Sequence, residues 1–275
     1  MGHIFDLATS RDADVFVTAR EPNEVTVWDL ADMRPMRSFE APIDLGGRRL
    51  ALSPDGAACF AGTYYQYGLA AYEVATGQLI WQRRDLKKVQ VLQLSPDGSR
   101  LYAELDGRAL TELDAATGET KNTLRGVKEI RESPFANIQL RAARRLEVRT
   151  TNGEKLLSFP RENFAVLDAT FSETMLLTSE AAGELRCFNL DTGAEAWRYA
   201  LADSHALRVG YHEERGLFSA VVYRYNSDGK TWLVRFAMDG SPSEPEELPP
   251  SWLYGYAKRG SRLVVVGEQA AELRV

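Results

Sequence analysis

The sequence predicts an all-β fold of tandem repeats, and three observations carry that expectation. The segment LSPDG occurs at Leu52–Gly56 and again at Leu94–Gly98, 42 residues further on. A second turn, built around Gly77, Gly118, Gly153, Gly193 and Gly240, returns at spacings of 41, 35, 40 and 47 residues. Between the turns run short segments of alternating apolar and polar residues, rich in branched and aromatic side chains, with no long helical period. A period near 40 with several strands per unit is the signature of propeller blades. A seven-bladed β-propeller of predominantly four-stranded antiparallel blades fits the length. It would form one domain over 1–275, divided at approximately 1–41, 42–84, 85–124, 125–160, 161–201, 202–247 and 248–275.

Unit one holds LATSRDADVFVTA (7–19) and EVTVWDL (24–30), with Asp29–Met33 standing where later units carry a glycine turn. Unit two opens on LALSPDGAACFAG (50–62), a strand, a turn and a strand. In that turn Pro54 fixes one backbone angle, Asp55 bonds its own backbone, and Gly56 accepts left-handed angles. YEVATGQLIW (72–81) supplies the second turn. Unit three repeats both, in LQLSPDGSRLYAE (92–104) and ELDAATGETK (112–121). Unit four, ANIQLRAARRLEVRTTNG (136–153), keeps the alternation but lacks the first turn. Unit five has ATFSETMLLTSE (169–180) and NLDTGAEAW (189–197), and unit six YHEERGLFSAV (211–221) and AMDGSPSE (237–244). The acidic, proline-rich SPSEPEELPP (241–250) suits an extended connector. Unit seven shows strands near Trp252–Tyr256, Arg262–Val266 and Ala271–Val275 and no fourth. Met1–Leu7 is a candidate for that strand, but Phe5–Thr9 already reads as the first strand of unit one.

SPDG followed by a strand and VWDL resembles the WD-repeat propeller family, and AYEVATGQLIW (71–81) resembles the repeat of pyrroloquinoline-quinone-like propellers. In the latter Glu73 replaces the acidic position, while Thr76, Gly77 and Trp81 match. Asp191–Gly193 with Trp197 matches more loosely, and Asp114, Thr117 and Gly118 match without the tryptophan. No Gly-His pair precedes a blade, unless Gly2-His3 counts, and the cofactor and calcium ligands of quinone-dependent dehydrogenases are not matched. The motif is expected to pack blades, with Trp28, Trp81, Trp197 and Trp232 near later strands of their units and Trp252 opening the last.

With 33 Lys plus Arg against 39 Asp plus Glu, the net charge of −6 argues against a general nucleic-acid binder, which needs a positive field. Two cysteines, Cys59 and Cys187, make no disulfide scaffold and read as buried thiols in apolar strands. The N-terminal residues show no leader, and no apolar run is long enough to span a membrane, so a cytoplasmic protein is expected; a closed ring of blades needs no partner to protect its sheet edges, so a monomer is the default.

The three histidines, His3, His205 and His212, have no zinc-site spacing, and no G-x-S-x-G elbow or glycine-rich phosphate loop appears. Asp55, Asp97, Asp114 and Asp191 recur once per unit, which suits turns rather than one active site. No catalytic residue, metal or cofactor is therefore expected. The expected function is a non-enzymatic scaffold that binds another protein through loops on one face. The alternatives are a lyase or hydrolase using the central channel, or a structural subunit of a larger assembly.

Family geometry, implied by the resemblance, puts the SPDG and TG turns at one end of the strands. The informative loops then lie at the other. There GTYYQYG (62–68) carries Tyr64, Tyr65 and Tyr67, QRRDLKK (82–88) carries Arg83, Arg84, Lys87 and Lys88, and VYRYNSDGKTW (222–232) carries Tyr223, Arg224 and Tyr225. Tyrosine and arginine are enriched at interface hot spots, which makes these residues the candidate protein-binding set. Arg141, Arg144, Arg145 and Arg149 form a further basic stretch without interleaved aromatics, which does not suit nucleic acid.

Overall fold

The structure, a computed structural model, describes residues 4–42, 49–64, 67–105, 109–127, 129–142, 146–159, 166–225, 230–249, 251, 253–267 and 270–274. Tyr65, Trp252, Arg144, Arg145 and the Gly2-His3 pair lie outside them. The chain groups into two compact units distinct from the sequence repeats, unit one of residues 1–130 with 270–272 and unit two of residues 131–269 with 273–275.

Unit one carries three antiparallel meanders. The first pairs β1 (Ile4–Thr9), β2 (Val15–Arg20), β3 (Glu24–Asp29) and β4 (Pro35–Glu40) in chain order. The second holds β5 (Leu50–Leu52), β6 (Ala58–Gly62), β7 (Leu69–Glu73) and β8 (Leu79–Arg83), and the third β9 (Val89–Leu94), β10 (Arg100–Leu105), β11 (Ala109–Asp114) and β12 (Thr120–Arg125). β13 (Glu129–Glu132) spans the division. It pairs with β14 (Ile138–Ala142), which is followed by β15 (Leu146–Thr150) and β16 (Lys155–Phe159). Unit two continues with a sheet of β17 (Val166–Phe171), β18 (Met175–Glu180), β19 (Glu184–Asn189) and β20 (Glu195–Ala200). A further sheet holds β21 (Ser204–His212), β22 (Leu217–Arg224), β23 (Thr231–Phe236) and the two-residue β24 (Glu246–Glu247). Last comes a three-stranded sheet of β25 (Leu253–Ala257), β26 (Arg262–Val266) and β27 (Ala270–Arg274).

These sheets correct the expectation of seven blades: the described residues form six four-stranded antiparallel blades, not seven. The reason is length. The shortest four-stranded sheet spans Glu129–Phe159, 31 residues, whereas Leu253–Arg274 spans 22, enough for three strands and two turns.

Burial follows the order of strands within a sheet. The second and third strands are covered on both faces, as in VFVTAR (β2) and ELRCFN (β19), so apolar residues run nearly unbroken. Fourth strands face water and read polar, as in TKNTLR (β12) and EAWRYA (β20). Each fourth strand from β4 to β20 also carries one extra residue against its partner: Met36, Ile80, Lys121, Leu156 and Ala196. Such a bulge twists an exposed edge and blunts its ability to pair with another chain. It explains why Met36, Ile80 and Leu156 are about half exposed. In the sixth blade the edge is capped differently: Glu246–Glu247 pairs with β23, tied by Arg235–Glu246 (2.9 Å) and Lys230–Glu247 (3.0 Å).

The turn between the first two strands is organised by a buried serine. Ser53 Oγ donates to Asp55 Oδ1 (2.6 Å) and accepts from the Ala58 amide (2.9 Å), while Asp55 accepts from the Ala57 amide (3.0 Å). Ser95, Asp97 and Arg100 repeat the arrangement. Ser10 and Ser172 hold the same place, accepting from the amides of Ala13 and Met175. So does Ser133, which accepts from the Phe135 amide, so the fourth repeat has a first turn after all: it keeps Ser133-Pro134 and lacks only Asp-Gly.

Neighbouring blades lock through the second turn. In four of the five turns the glycine lies under a side chain of the preceding blade's fourth strand: Gly77 under Phe39, Gly118 under Trp81, Gly193 under Leu157 and Gly240 under Trp197. An added Cβ at these glycines would stand 2.5–2.7 Å from that side chain, and all four have positive φ. Trp81 Nε1 donates to Ala115 O (2.9 Å) and Trp197 Nε1 to Met238 O (3.0 Å). The two tryptophans of the quinone-like motif are thus spent on blade packing.

Candidate docking surface

In unit one the β6–β7 connection and the β8–β9 connection are clamped together. Thr63 Oγ1 accepts from the amides of Tyr67 (3.1 Å) and Gly68 (2.8 Å), and the Thr63 amide donates to Gly68 O (2.7 Å). The Lys88 amide donates to Tyr64 O (2.9 Å), the Val89 amide to Thr63 O (3.3 Å), and Gln82 Nε2 to Tyr67 O (3.0 Å). Gly68, at φ +74°, approaches Arg83 O so closely that no Cβ fits. Buried Leu86 and Val89 anchor the second connection to the core. The result is a braced platform that needs little ordering on contact.

Of the predicted residues, Tyr64, Tyr67, Arg84, Lys87 and Lys88 come together here. Tyr67, Arg84, Lys87 and Lys88 are exposed, and the Arg49 guanidinium lies over the Tyr64 ring at 5.7 Å from its centroid. Arg83 is turned elsewhere. It forks onto Asp85 (2.8 and 2.7 Å) and donates to Gly118 O of the next blade (2.7 Å). The hydrogen bond from Arg83 holds the Asp85 carboxyl below its usual range, and the same bond raises Arg83. That pairing neutralises Asp85, the carboxylate within the second connection.

Tyr223, Arg224 and Tyr225 lie in unit two, at the end of β22. The rings of Tyr223 and Tyr225 meet edge to face (6.0 Å), and both pack on His205 (5.5 and 5.0 Å). Arg224 stacks over Trp232 at 5.2 Å. Burial lowers the His205 pKa, and its Nδ1 is buried without a hydrogen-bond partner among the described residues. His212 is placed at the far end of the same strand, so the two histidines do not meet. Its Nδ1 accepts from the Arg215 amide (3.2 Å), so His212 fills the turn-serine position of this blade.

The recurrent aspartates are turn residues. Asp55 is held below its usual range by the hydrogen bond from Ser53. Burial raises Asp97, but bonds from Ser95 and Ser99 outweigh it. Asp114 caps the amides of Ala116 and Thr117. In the fifth blade that role falls to Asn189 rather than Asp191. Cys59 and Cys187 are buried, which pushes both thiols up to about 12. No group of metal-ligating side chains occurs among the described residues, and none of their helices is long and apolar enough to cross a membrane.

Two buried aspartates that tie strands together escaped the sequence reading. Asp6 Oδ2 accepts from the Arg49 and Leu50 amides (2.6 and 2.8 Å). Asp168 accepts from Arg131 (2.9 Å) and from the Val209 amide (3.1 Å), joining the first strands of three successive blades. Their only trace in the sequence is Asp followed closely by Ala-Thr, at 6–9 and 168–170.

Comparison with known proteins agrees with this architecture. The chain aligns with the Cps50 (Swd1) β-propeller domain of Myceliophteria thermophila at a TM-score of 0.78, covering 100% of this chain and 97% of that one, at 15% identity. That likeness shows a β-propeller fold. Solved structures hold 1612 matching chains, so the fold alone assigns no function. The family model described as outer membrane protein assembly factor BamB matches residues 11–205, and the chain belongs to that family. No curated protein matches. The family corrects the expected cytoplasmic location, because its description places it in outer-membrane assembly. The expectation rested on seeing no leader, which says nothing of compartment.

Proposed function

We propose that this propeller is a non-enzymatic scaffold that binds another protein through the braced loops of unit one, with Tyr64, Tyr65, Tyr67, Arg84, Lys87 and Lys88 as the docking set. The carrying observation is the clamp between the 63–68 and 84–88 connections, which presents exposed tyrosine and basic side chains on fixed backbone. Membership of a family described as an assembly factor supports an interaction role. Arg83 serves by positioning the second connection against the next blade. Tyr223, Arg224 and Tyr225 form a second contact area in unit two. The chain acts as a monomer, and its net charge of −6 turns nucleic acid away.

A photo-crosslinking amino acid placed in the native host at Tyr67 and Lys87, with exposed Glu119 as control, tests the reading. One protein should crosslink at both platform positions and not at Glu119. Equal crosslinking at all three, or none at the platform, would sink it.

A further inference from the structure

We infer that Asn152 is a site of self-modification: its side-chain amide cyclises onto the Gly153 backbone nitrogen and is lost as ammonia, leaving a new carboxylate in an exposed turn. Asn152-Gly153 is the one Asn-Gly pair in the sequence, and it lies between β15 and β16. In the reaction the Gly153 nitrogen attacks Asn152 Cγ. The N–Cγ bond forms, the Cγ–Nδ2 bond breaks, and the proton of the attacking nitrogen leaves with the ammonia. Water then opens the five-membered imide at either carbonyl, giving aspartate or its β-linked isomer. Nothing is oxidised or reduced. Glycine suits the attacking position because no Cβ shields its nitrogen and its backbone rotates freely.

The structure singles this turn out. Asn152 is exposed, and its side chain hydrogen-bonds no described residue. An added Cβ at Gly153 would have nothing within 4 Å, so no neighbouring side chain stands over the glycine. The Gly153 amide donates to Thr150 O (2.9 Å), and Gly153 O accepts from Arg149 Nη1 (2.7 Å). The first bond must open to free the nitrogen, and exposed turns open locally at little cost.

The comparable pairs among the described residues are pinned. Asp55-Gly56, Asp97-Gly98 and Asp239-Gly240 could form the same imide by losing water. Yet an added Cβ at Gly56, Gly98 or Gly240 would stand 2.5, 2.9 or 2.7 Å from Val15, Pro54 or Trp197. The three carboxylates accept from the amides of Ala57, Ser99 and Ser241. The Ser53 hydroxyl and the Ser241 amide hold Asp55 and Asp239 below their usual range, and an ionised carboxylate is a poor electrophile. Asn189 Oδ1 is likewise held, by the amides of Asp191 and Thr192. The product at position 152 adds negative charge. In its β-linked form it also adds a backbone methylene, which shifts Gly153 away from Thr150 and Arg149. The mark is one-way and accumulates with the age of the molecule.

The test incubates the full chain at neutral and alkaline pH and follows each asparagine by peptide mapping and mass spectrometry. Position 152 should convert at least tenfold faster than Asn189, at a rate that climbs with pH, with matching release of ammonia. Gly153→Ala should slow conversion at least tenfold with unchanged circular dichroism. Asp239→Asn places a second Asn-Gly pair under Trp197. In native buffer position 239 should convert several-fold more slowly than position 152 of the same molecule, and in denaturant the two rates should meet. No preferential conversion at 152, or an unchanged rate in Gly153→Ala, overturns the inference. So do equal native rates at 152 and 239, because the residue pair alone would then decide and the open turn would count for nothing.

Discussion

Two glycines separate two costs that are often confused. Gly118 has φ +72°, and a Cβ there would lie 2.7 Å from the Trp81 ring. Gly153 has φ +93° with nothing within 4 Å of the same added atom. Gly153→Ala therefore meets only the left-handed backbone penalty, about 1 kcal/mol. Gly118→Ala adds overpacking against a ring held by its bond to Ala115, for about 2–4 kcal/mol in all. Urea denaturation of the two variants should show that order. Glu180 offers a pH-dependent case at the same scale. Burial raises its pKa despite Arg186 at 3.6 Å, and its Oε2 has no hydrogen-bond partner among the described residues. A raised folded pKa means the stability it contributes is present below the ordinary glutamate range and is lost as pH climbs through the folded value. Glu180→Gln removes that titration. The variant should gain stability relative to wild type across this window, and a flat difference between pH 4 and 8 would count against the assignment.

At the scale of elements, the sheets are held to one another by a few buried polar ties as well as by apolar faces. Asp168 of β17 is the clearest, because it engages Arg131 of β13 and the Val209 amide of β21. Asp168→Ala leaves a partly buried guanidinium and a buried amide without that acceptor, and should cost about 3–5 kcal/mol. Asp168→Asn keeps an acceptor for the amide and should cost less. Hydrogen exchange at Val209, faster in the alanine variant, locates the effect. These ties were illegible because buried aspartates occur once or twice, without the regular spacing that marks a turn. The turns were legible because their chemistry repeats, yet their true constant was read imperfectly. Asp-Gly drew attention, whereas the buried hydroxyl of Ser10, Ser53, Ser95, Ser133 and Ser172 is what recurs. Reading for serine finds the first turn of the fourth blade and shows why His212, an alternative acceptor, stands in the sixth. The platform was half legible: side-chain chemistry picked out Tyr67, Arg84, Lys87 and Lys88, but only the fold reveals that Arg83 points away to Gly118.

For the whole molecule, the period of the repeat identified the propeller, while blade completeness depended on the last residues, where the pattern is shortest. The two compact units each hold one buried thiol, Cys59 on β6 and Cys187 on β19, and each thiol sits in a core cluster confined to its own unit. Burial raises both to about 12, so neither is thiolate at neutral pH in the folded chain. A thiol reagent should therefore react with neither cysteine in native buffer and with both in denaturant. Between those limits each cysteine reports the opening of its own surroundings, because reaction requires the core around it to come apart. Gly118→Ala weakens packing in unit one, and Asp168→Ala removes a tie in unit two. In low urea the first substitution should accelerate labelling of Cys59 above that of Cys187, and the second should reverse the order, as read by mass spectrometry of the labelled peptides. Identical acceleration of both thiols by either substitution would instead mean that the two units open only together.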